Sequence, residues 1–302
     1  MECAVVLIAN SRTAPINDNM VVAVAQALKS FAREVDSHGL TWLAPGIACE
    51  FTCVISDQAA AVRAARNAVA NTAVDVCCVP KHGRRKKLLV ADMDSTIITF
   101  ETIDEVAIDA GDEIGKEIAK LTTRAMAGDM DYATAFRQRA TLLQGVPSTL
   151  LAGVRDRIVL TRGARELIAT MRGNGAVCAL ASSGLTDFTD HVADELNFDH
   201  AWGNQLEITD GNITGNVVAP IRDGSAKRAT LNKLKRRYNI EDADTMAVGD
   251  GANDLDMISA AGIGVAFHAK PVVAEQADAR IDHADLTALL YLQGYRIEDF
   301  RR

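Results

Sequence analysis

The stretch Leu88-Leu89-Val90-Ala91-Asp92-Met93-Asp94-Ser95-Thr96 decides the fold of this chain. Its first four residues are apolar and predict a buried strand, and two carboxylates follow directly at the end of that strand. Buried carboxylates are costly unless a cation or a proton compensates them. We therefore expect Asp92 and Asp94 to lie at a cation site where a core strand ends.

Further polar groups stand where ligands bind in parallel α/β sheets. An apolar segment predicts a strand before the pair Ser182-Ser183. Another precedes Asp250 and Asn253, and Lys227 opens a helical pattern. Ligands in open parallel sheets bind beyond the carboxyl ends of the strands, so we expect these groups to converge. An Asp-x-Asp pair alone also occurs in metal-binding transferases and in surface turns, but this combination indicates metal-assisted phosphoryl transfer through a carboxylate nucleophile.

The two aspartates of the first motif are suited to different steps. Asp92 and Asp250 together suit one Mg²⁺, which prefers oxygen ligands. Because the cation offsets the repulsion between Asp92 and a phosphate dianion, Asp92 is the candidate nucleophile that forms an aspartyl-phosphate. Asp94 is the candidate acid that protonates the leaving oxygen and then takes a proton from the hydrolytic water.

Three of the other groups also have simpler interpretations. Ser182 and the backbone N–H groups of the next helix form a candidate anion site, or Ser182 is a plain N-cap. Lys227 either reaches the phosphate and the nucleophile as a point charge or is a solvated lysine in a first helical turn. Asn253 bonds a phosphate oxygen, orients Lys227, or is a turn residue beside Gly251.

Bulk composition narrows the class of protein. A hydrophobic content of 48% with 24% charged residues in 302 residues is typical of a globular chain with two domains. The net charge of −8 gives no reason to expect a nucleic-acid partner. No apolar run approaches the roughly 20 residues that cross a bilayer, and the N-terminus lacks a signal-peptide pattern, so we expect no membrane partner and a cytoplasmic location. The six cysteines fall mostly in strand-like runs without zinc-site spacing, which favours buried reduced thiols.

Element patterns predict an α/β protein with three parts. Strands at residues 4–9, 40–43, 51–55 and 74–79 and helices at 19–31 and 57–70 give the order βαββαβ of a ferredoxin-like domain over residues 1–80. A basic linker follows at 81–87, then a Rossmann-like, doubly wound parallel sheet core at 88–98 and 160–302. Only helical signals occupy 99–159, which predicts an inserted cap, and Asp210-Gly211 predicts a hairpin turn.

Residues 88–290 resemble the haloacid-dehalogenase-like phosphohydrolase superfamily and, within it, the phosphoserine phosphatases. The superfamily's signatures occur in order as Asp92-x-Asp94-Ser95-Thr96, Ser182, Lys227 and Gly249-Asp250-Gly251-x-Asn253-Asp254. The cap pattern of the subfamily is matched by Glu101-Thr102-Ile103-Asp104-Glu105 and by Tyr132 with Arg139.

The resemblance implies an Mg²⁺-dependent hydrolysis of O-phospho-L-serine to L-serine and phosphate, the last step of serine biosynthesis. It implies that Asp92 is the nucleophile, that Asp94 is the general acid and base, and that Mg²⁺ is held by Asp92, Asp250 and the backbone carbonyl of Asp94. The implied substrate contacts are Glu101 with the ammonium and Arg139 with the carboxylate. Further residues implied to contact the phosphate or the rest of the substrate are Tyr132, Ser182, Ser183, Lys227 and Asn253. An arginine fork suits a carboxylate.

Two positions depart from the family pattern, and the N-terminal resemblance rests on topology. Ser183 stands where the family usually has glycine, so we expect it to adopt a backbone geometry that glycine normally takes. Tyr132 stands where the cap usually has phenylalanine. Residues 1–80 resemble ACT-like domains, which implies two hypotheses: an amino-acid effector at this domain, and association into a homodimer.

Other functions stay open at this point. The nearest keeps the fold and changes the chemistry to another small phosphomonoester, or to phosphoryl transfer to an alcohol such as homoserine. A signalling receiver also uses an aspartate, Mg²⁺ and a lysine, but it needs neither an acid like Asp94 nor capping helices. An amino-acid sensor with an inactive catalytic half is disfavoured because every expected catalytic position is filled.

Overall fold

The structure, a computed structural model, describes residues 1–10 and 15–302, with the backbone alone at 37 and 38. The chain forms two compact units. The first consists of residues 1–86, 162–174 and 278–302, and the second of residues 87–161 and 175–277. The first unit takes residues from both sides of the predicted linker, whereas the second takes none from before it. The predicted domain boundaries stay predictions.

The first unit contains the predicted βαββαβ arrangement. Its elements are β1 (Glu2–Ala9), α1 (Asp18–Leu28), β2 (Ala32–Ala44), β3 (Ala48–Ile55), α2 (Gln58–Ala68) and β4 (Val74–Pro80). The sheet has the order β2-β3-β1-β4, and β1 pairs antiparallel with both β3 and β4. Alternate residues of β1, such as Val5 and Leu7, pack with Phe51 of β3 and with Val24 and Leu28 of α1 in one apolar core. All six cysteines of the chain are buried thiols that form no disulfide among the described residues, as the buried-thiol interpretation predicts.

Element boundaries in this unit differ from the prediction, most of all at the start of β2. Helix α1 ends at Leu28 rather than at residue 31, and β2 begins at Ala32 rather than at residue 40. β2 lies at the edge of the sheet, where Arg33, Glu34 and Asp36 are exposed. An edge strand accepts polar residues, so its first half lacks the apolar alternation by which a strand is recognised.

Later segments of the chain complete the first unit. They are α7 (Ala164–Gly173), β11 (Ala279–Ile281) and α12 (Ala288–Leu292). The buried carboxylate of Asp75 in β4 accepts hydrogen bonds from the backbone N–H groups of Asp282 (2.8 Å) and Ala284 (2.9 Å). These bonds satisfy a carboxylate that would otherwise be costly to bury.

The second unit contains the doubly wound sheet. Its strands are β5 (Leu88–Ala91), β6 (Val177–Leu185), β7 (His200–Thr209), β8 (Asn212–Val218), β9 (Thr245–Gly249) and β10 (Ile263–Phe267). Within this unit the sheet runs in the order β10-β9-β5-β6-β7-β8, and β5 pairs parallel with β6 on one side and with β9 on the other. The chain therefore reverses direction across the sheet beside β5, which is where such sheets bind ligands. The predicted Asp210-Gly211 turn joins β7 and β8 with φ of 50° and 77°, as a type I′ hairpin requires.

Helices follow the strands as expected. The inserted block after β5, called the cap below, forms α3 (Thr102–Ala110), α4 (Asp112–Ala127), α5 (Tyr132–Leu142) and α6 (Thr149–Arg155). The remaining helices of this unit are α8 (Thr186–Leu196), α9 (Gly224–Tyr238), α10 (Leu255–Ala260) and α11 (Pro271–Ala274). In the described parts of the chain, no helix combines the length and the apolar character needed to span a membrane.

Candidate active site

Asp92 lies at the carboxyl end of the central strand. Its backbone N–H donates to the carbonyl of Val248 in β9 at 3.0 Å, which continues the pairing of β5 with β9 by one residue. Its side chain is only 3% exposed. The chain then turns sharply at Ser95, whose φ is 56°, a left-handed conformation that L residues rarely adopt. This turn directs the chain from the core strand into the cap.

Lys227 is a buried ion-pair partner of two aspartates. Its Nζ donates to Asp92 Oδ1 at 2.6 Å and to Asp254 Oδ1 at 2.7 Å, and its side chain is 1% exposed. The interpretation as a solvated first-turn lysine is therefore wrong. Burial alone would lower the pKa of Lys227, but the charges of Asp254 and Asp92 outweigh burial and raise it, so the ammonium stays protonated.

Asp254 is a member of the site to which the sequence interpretation assigned no role. Its Oδ2 accepts the backbone N–H groups of Asp250 and Gly251 at 3.2 Å each, while its Oδ1 accepts from Lys227. A Cβ at Gly249 would lie 2.3 Å from the Asp254 carboxyl carbon, so this position must be glycine for the carboxylate to enter. Its signal in the sequence was its place as the last residue of the run Gly249-Asp250-Gly251-x-Asn253-Asp254.

Asp92, Asp250 and Asp254 form a cluster suited to a metal ion. One ligand oxygen from each lies within 4.8 Å of the others. Lys227 and two backbone N–H groups already occupy Asp254, whereas the buried Asp250 Oδ1 has no hydrogen-bond partner among the described residues. Burial raises the pKa of Asp92 and of Asp250, and neighbouring carboxylates raise both further. One ammonium does not compensate three buried carboxylates, so the donor set fits a divalent cation.

Asp94 lies next to this cluster, but its side chain is engaged elsewhere. Oδ1 accepts the backbone N–H of Thr102 at 2.8 Å, and Oδ2 accepts the hydroxyl of Ser182 at 3.2 Å. A Cβ at Gly184 would lie 2.5 Å from Asp94 Oδ2. Burial raises the pKa of Asp94, against the lowering effect of the Thr102 N–H bond. A carboxyl group with a raised pKa is suited to give and take a proton near neutral pH.

Ser182 is neither the last residue of its strand nor a helix cap. β6 continues to Leu185, and its regular pairing with β7 is interrupted between Ala181 and Leu185. In that interval the Ser182 hydroxyl accepts the N–H of Gly184 at 2.8 Å and donates to Asp94. The hydroxyl therefore belongs to the buried site, and the N-cap interpretation is wrong.

The two residues that depart from the family pattern, Ser183 and Tyr132, contact each other in the structure. Ser183 lies in β6 and does not have a positive φ, so the expectation of a glycine-like geometry is wrong. The Tyr132 hydroxyl, which a phenylalanine would lack, donates to the Ser183 carbonyl at 2.8 Å, and Asn204 Nδ2 donates to the same oxygen at 2.7 Å. Asn253 Nδ2 lies 3.4 Å from the Ser183 hydroxyl, and its buried Oδ1 has no partner among residues 1–10 and 15–302.

Glu101 and Arg139 are the charged groups that the cap contributes. Glu101 Oε1 accepts the Ser95 hydroxyl at 2.7 Å. Burial, followed by the charge of Asp94, raises the pKa of Glu101 to about 7. Arg139 is 3% exposed, and its Nε and Nη2 have no hydrogen-bond partner in the described part of the chain. Unpaired buried donors are costly, so this edge of the guanidinium is suited to a bound anion.

Comparison with known proteins identifies the class. The family model described as haloacid dehalogenase-like hydrolase matches residues 89–259. That range contains every residue of the site described above. The chain belongs to the haloacid dehalogenase-like hydrolase family.

Similar proteins include phosphoserine phosphatases from several organisms. The chain is 43% identical to a phosphoserine phosphatase from Archaeoglobus fulgidus over 206 residues, which are 68% of this chain and 59% of that protein. It therefore spans less than two thirds of the length of that relative. It is 37% identical over 289 residues to phosphoserine phosphatase SerB2 of Mycobacterium tuberculosis, covering 93% of this chain and 69% of that one.

A solved structure described as a phospho-aspartyl intermediate analogue of phosphoserine phosphatase is also similar. It has a TM-score of 0.66 and 37% sequence identity, and the match covers 68% of this chain and 98% of that chain.

Proposed function

We propose that this chain is a phosphoserine phosphatase that hydrolyses O-phospho-L-serine to L-serine and phosphate. The observation that carries the proposal is the unpaired edge of the buried Arg139, in a cap that also brings the carboxyl group of Glu101 close to Asp94. Phosphoserine offers one carboxylate for Arg139, one ammonium for Glu101 and one phosphate for the aspartate cluster. The names of the relatives support the same substrate.

We propose Mg²⁺ as the cation of the site. Asp92, Asp250 and the backbone carbonyl of Asp94 would hold it, because the unpaired Asp250 Oδ1 leaves an oxygen donor available and Asp254 is already committed to Lys227. When bound, the cation neutralises the carboxylates and offsets their repulsion of the phosphate dianion.

In the first step, a carboxylate oxygen of Asp92 attacks phosphorus. The bond between phosphorus and the serine oxygen breaks, and Asp94 gives its proton to that oxygen. Lys227 holds the Asp92 carboxylate in place through its 2.6 Å bond, and it presents a positive charge toward the phosphate.

In the second step, Asp94 takes a proton from a water molecule, and the resulting hydroxide oxygen attacks phosphorus. The bond between phosphorus and Asp92 breaks, which releases phosphate and restores the carboxylate. The bonds from Thr102 N and Ser182 Oγ hold the Asp94 side chain in one orientation for both transfers.

The other polar groups are proposed as substrate contacts. Ser182, the backbone N–H of Ser183, Lys227 and Asn253 surround the phosphate position. The unpaired Asn253 Oδ1 supports a ligand contact there. Tyr132 is proposed to contact the substrate from the cap, while its hydroxyl is held by the Ser183 carbonyl.

Phosphate release from a substrate panel tests the proposal. With Mg²⁺, L-phosphoserine should be turned over faster than phosphothreonine and a phosphosugar, and a metal-free control should be inactive. Arg139→Ala should weaken binding of carboxylate-bearing substrates and leave a phosphosugar little changed. Preferred turnover of a phosphosugar, or transfer of the phosphoryl group to added homoserine, would contradict the proposal and support another phosphatase or a phosphotransferase.

We also expect a homodimer, an amino-acid effector at an ACT-like N-terminal domain, and a cytoplasmic location. The similarity to SerB2, which extends over 93% of this chain, supports a common arrangement that includes the N-terminal region.

A further inference from the structure

Two hydrogen bonds connect Arg139 to Thr122 and Thr122 to Asp104, and they link three helices of the cap. Arg139 and Thr122 are buried, and Asp104 is half-buried. Arg139 Nη1 on α5 donates to the hydroxyl of Thr122 on α4 at 3.2 Å. The Thr122 hydroxyl in turn donates to Asp104 Oδ1 on α3 at 2.6 Å. Thr122 is 6% exposed and Arg139 is 3% exposed, so water does not compete freely for the bond between them.

The direction of these hydrogen bonds follows from which groups have a proton to donate. A hydroxyl has a single proton, and the Thr122 hydroxyl gives it to the Asp104 carboxylate. The oxygen lone pairs therefore face the Arg139 guanidinium, which can only donate. Asp104 thus orients the hydroxyl, and the hydroxyl holds one end of the guanidinium.

The opposite edge of the guanidinium is left open. Nε and Nη2 of Arg139 have no hydrogen-bond partner in the described residues, although both are buried. These two N–H groups lie on one edge of the planar group, and such an edge binds a carboxylate through two parallel hydrogen bonds. A rotation of the plane would spoil both bonds together, so a contact that fixes the plane matters for carboxylate binding.

We propose that Thr122, oriented by Asp104, is a positioning residue that sets the plane of Arg139 and thereby the preference for phosphomonoesters that carry a carboxylate. The inference rests on the proposed function and extends it to residues outside the substrate contacts. Thr122 does not touch the reacting groups, so its loss should affect recognition of the substrate carboxylate and leave the chemical steps unchanged.

The test compares Thr122→Val, which keeps the shape and removes the hydroxyl, with Thr123→Val as a matched control. Thr123 is the next residue of α4, it is exposed, and its hydroxyl donates to the carbonyl of Ala119 in its own helix. The substrates are O-phosphoserine and O-phosphoethanolamine, which has the phosphate and the ammonium but no carboxylate. Thr122→Val should raise KM for phosphoserine about tenfold with kcat within about twofold, and it should leave kcat/KM for phosphoethanolamine within about twofold.

Rescue separates the hydroxyl from the packing of the side chain. Thr122→Ser keeps the hydroxyl and should restore KM for phosphoserine to near the wild-type value. Thr123→Val should leave kcat/KM for both substrates unchanged. Thr122→Ala provides a second variant if the valine protein does not fold, and it should show the same selectivity for phosphoserine. Equal losses on both substrates, an unchanged KM for phosphoserine, or a serine variant as weak as the valine variant would overturn the inference.

The wild-type enzyme reports on the proposed function separately. If it does not prefer phosphoserine to phosphoethanolamine, the proposed function fails and this inference fails with it. If it does prefer phosphoserine and Thr122→Val keeps that preference intact, only the inference about Thr122 fails.

Discussion

Removal of the buried ammonium by Lys227→Met should destabilise the second unit in a way that depends on pH and on Mg²⁺. Lys227 Nζ lies 2.6 Å from Asp92 Oδ1 and 2.7 Å from Asp254 Oδ1, and the three side chains are 1%, 3% and 0% exposed. Methionine keeps much of the volume of the lysine side chain but leaves two buried carboxylates without their cation.

The size of the effect follows from this burial. Breaking a buried ion pair by removing one partner costs about 3–5 kcal/mol, which corresponds to a loss of about 6–20 °C in Tm for a unit of this size. The loss should grow as the pH rises. Burial already raises the folded-state pKa of Asp92 above its ordinary value, and removing the ammonium raises it further. The penalty is therefore present at high pH and fades as the pH falls and Asp92 takes up a proton.

Calorimetric melts of the whole chain measure the effect, with chelator and with excess Mg²⁺. Mg²⁺ should recover part of the lost Tm because it supplies the missing positive charge. Lys233→Met is the matched control, since Lys233 lies on the same helix and is exposed. It should change the free energy of unfolding by no more than about 0.5 kcal/mol. The reasoning is refuted if Lys227→Met melts with the control, or if its loss of Tm is the same at low and high pH.

Two further predictions concern catalysis and its pH dependence. Gly184→Ala should lower kcat about 100-fold, because the new Cβ would lie 2.5 Å from Asp94 Oδ2 and must displace that carboxyl group. Gly153→Ala is the control and should leave kcat unchanged, because its Cβ would lie 3.8 Å from the nearest atom, Arg157 Nη1. Similar kcat values for the two variants would contradict this position for Asp94. For Glu101, burial and the charge of Asp94 place the pKa at about 7, so the ionised form that binds an ammonium is lost as the pH falls below that value. Wild-type kcat/KM for phosphoserine should therefore fall as the pH decreases below about 7. Glu101→Gln should lower kcat/KM and remove this decrease at acid pH. The same decrease in the variant would show that another group titrates.

The parts of the fold that the sequence predicts are those with strong local patterns. The apolar run before Asp92 identified the central strand, because a buried parallel strand has few polar residues until it ends. The Asp210-Gly211 turn was equally clear, since the positive φ at both positions needs such residues. The uninterrupted helical pattern after β5 predicted the cap, because helical periodicity is also a local pattern.

Other features depend on partners that are distant in the sequence. Lys227 resembles an ordinary first-turn lysine until its partners are known, and these lie 135 and 27 residues away. The start of β2 was missed because an edge strand tolerates Arg33 and Glu34. Thr122 gave no signal at all, since a threonine in an amphipathic helix is common and only the folded cap brings it to Arg139.

The identity of the phosphorylated side chain tests the central claim most directly. The enzyme is mixed with phosphoserine and Mg²⁺, quenched in acid during turnover, treated with borohydride and mapped by peptide mass spectrometry. Borohydride reduces an aspartyl-phosphate to homoserine, so the account predicts homoserine at position 92 in the wild-type protein and its absence without substrate. Modification at any other side chain, or none during active turnover, would contradict it.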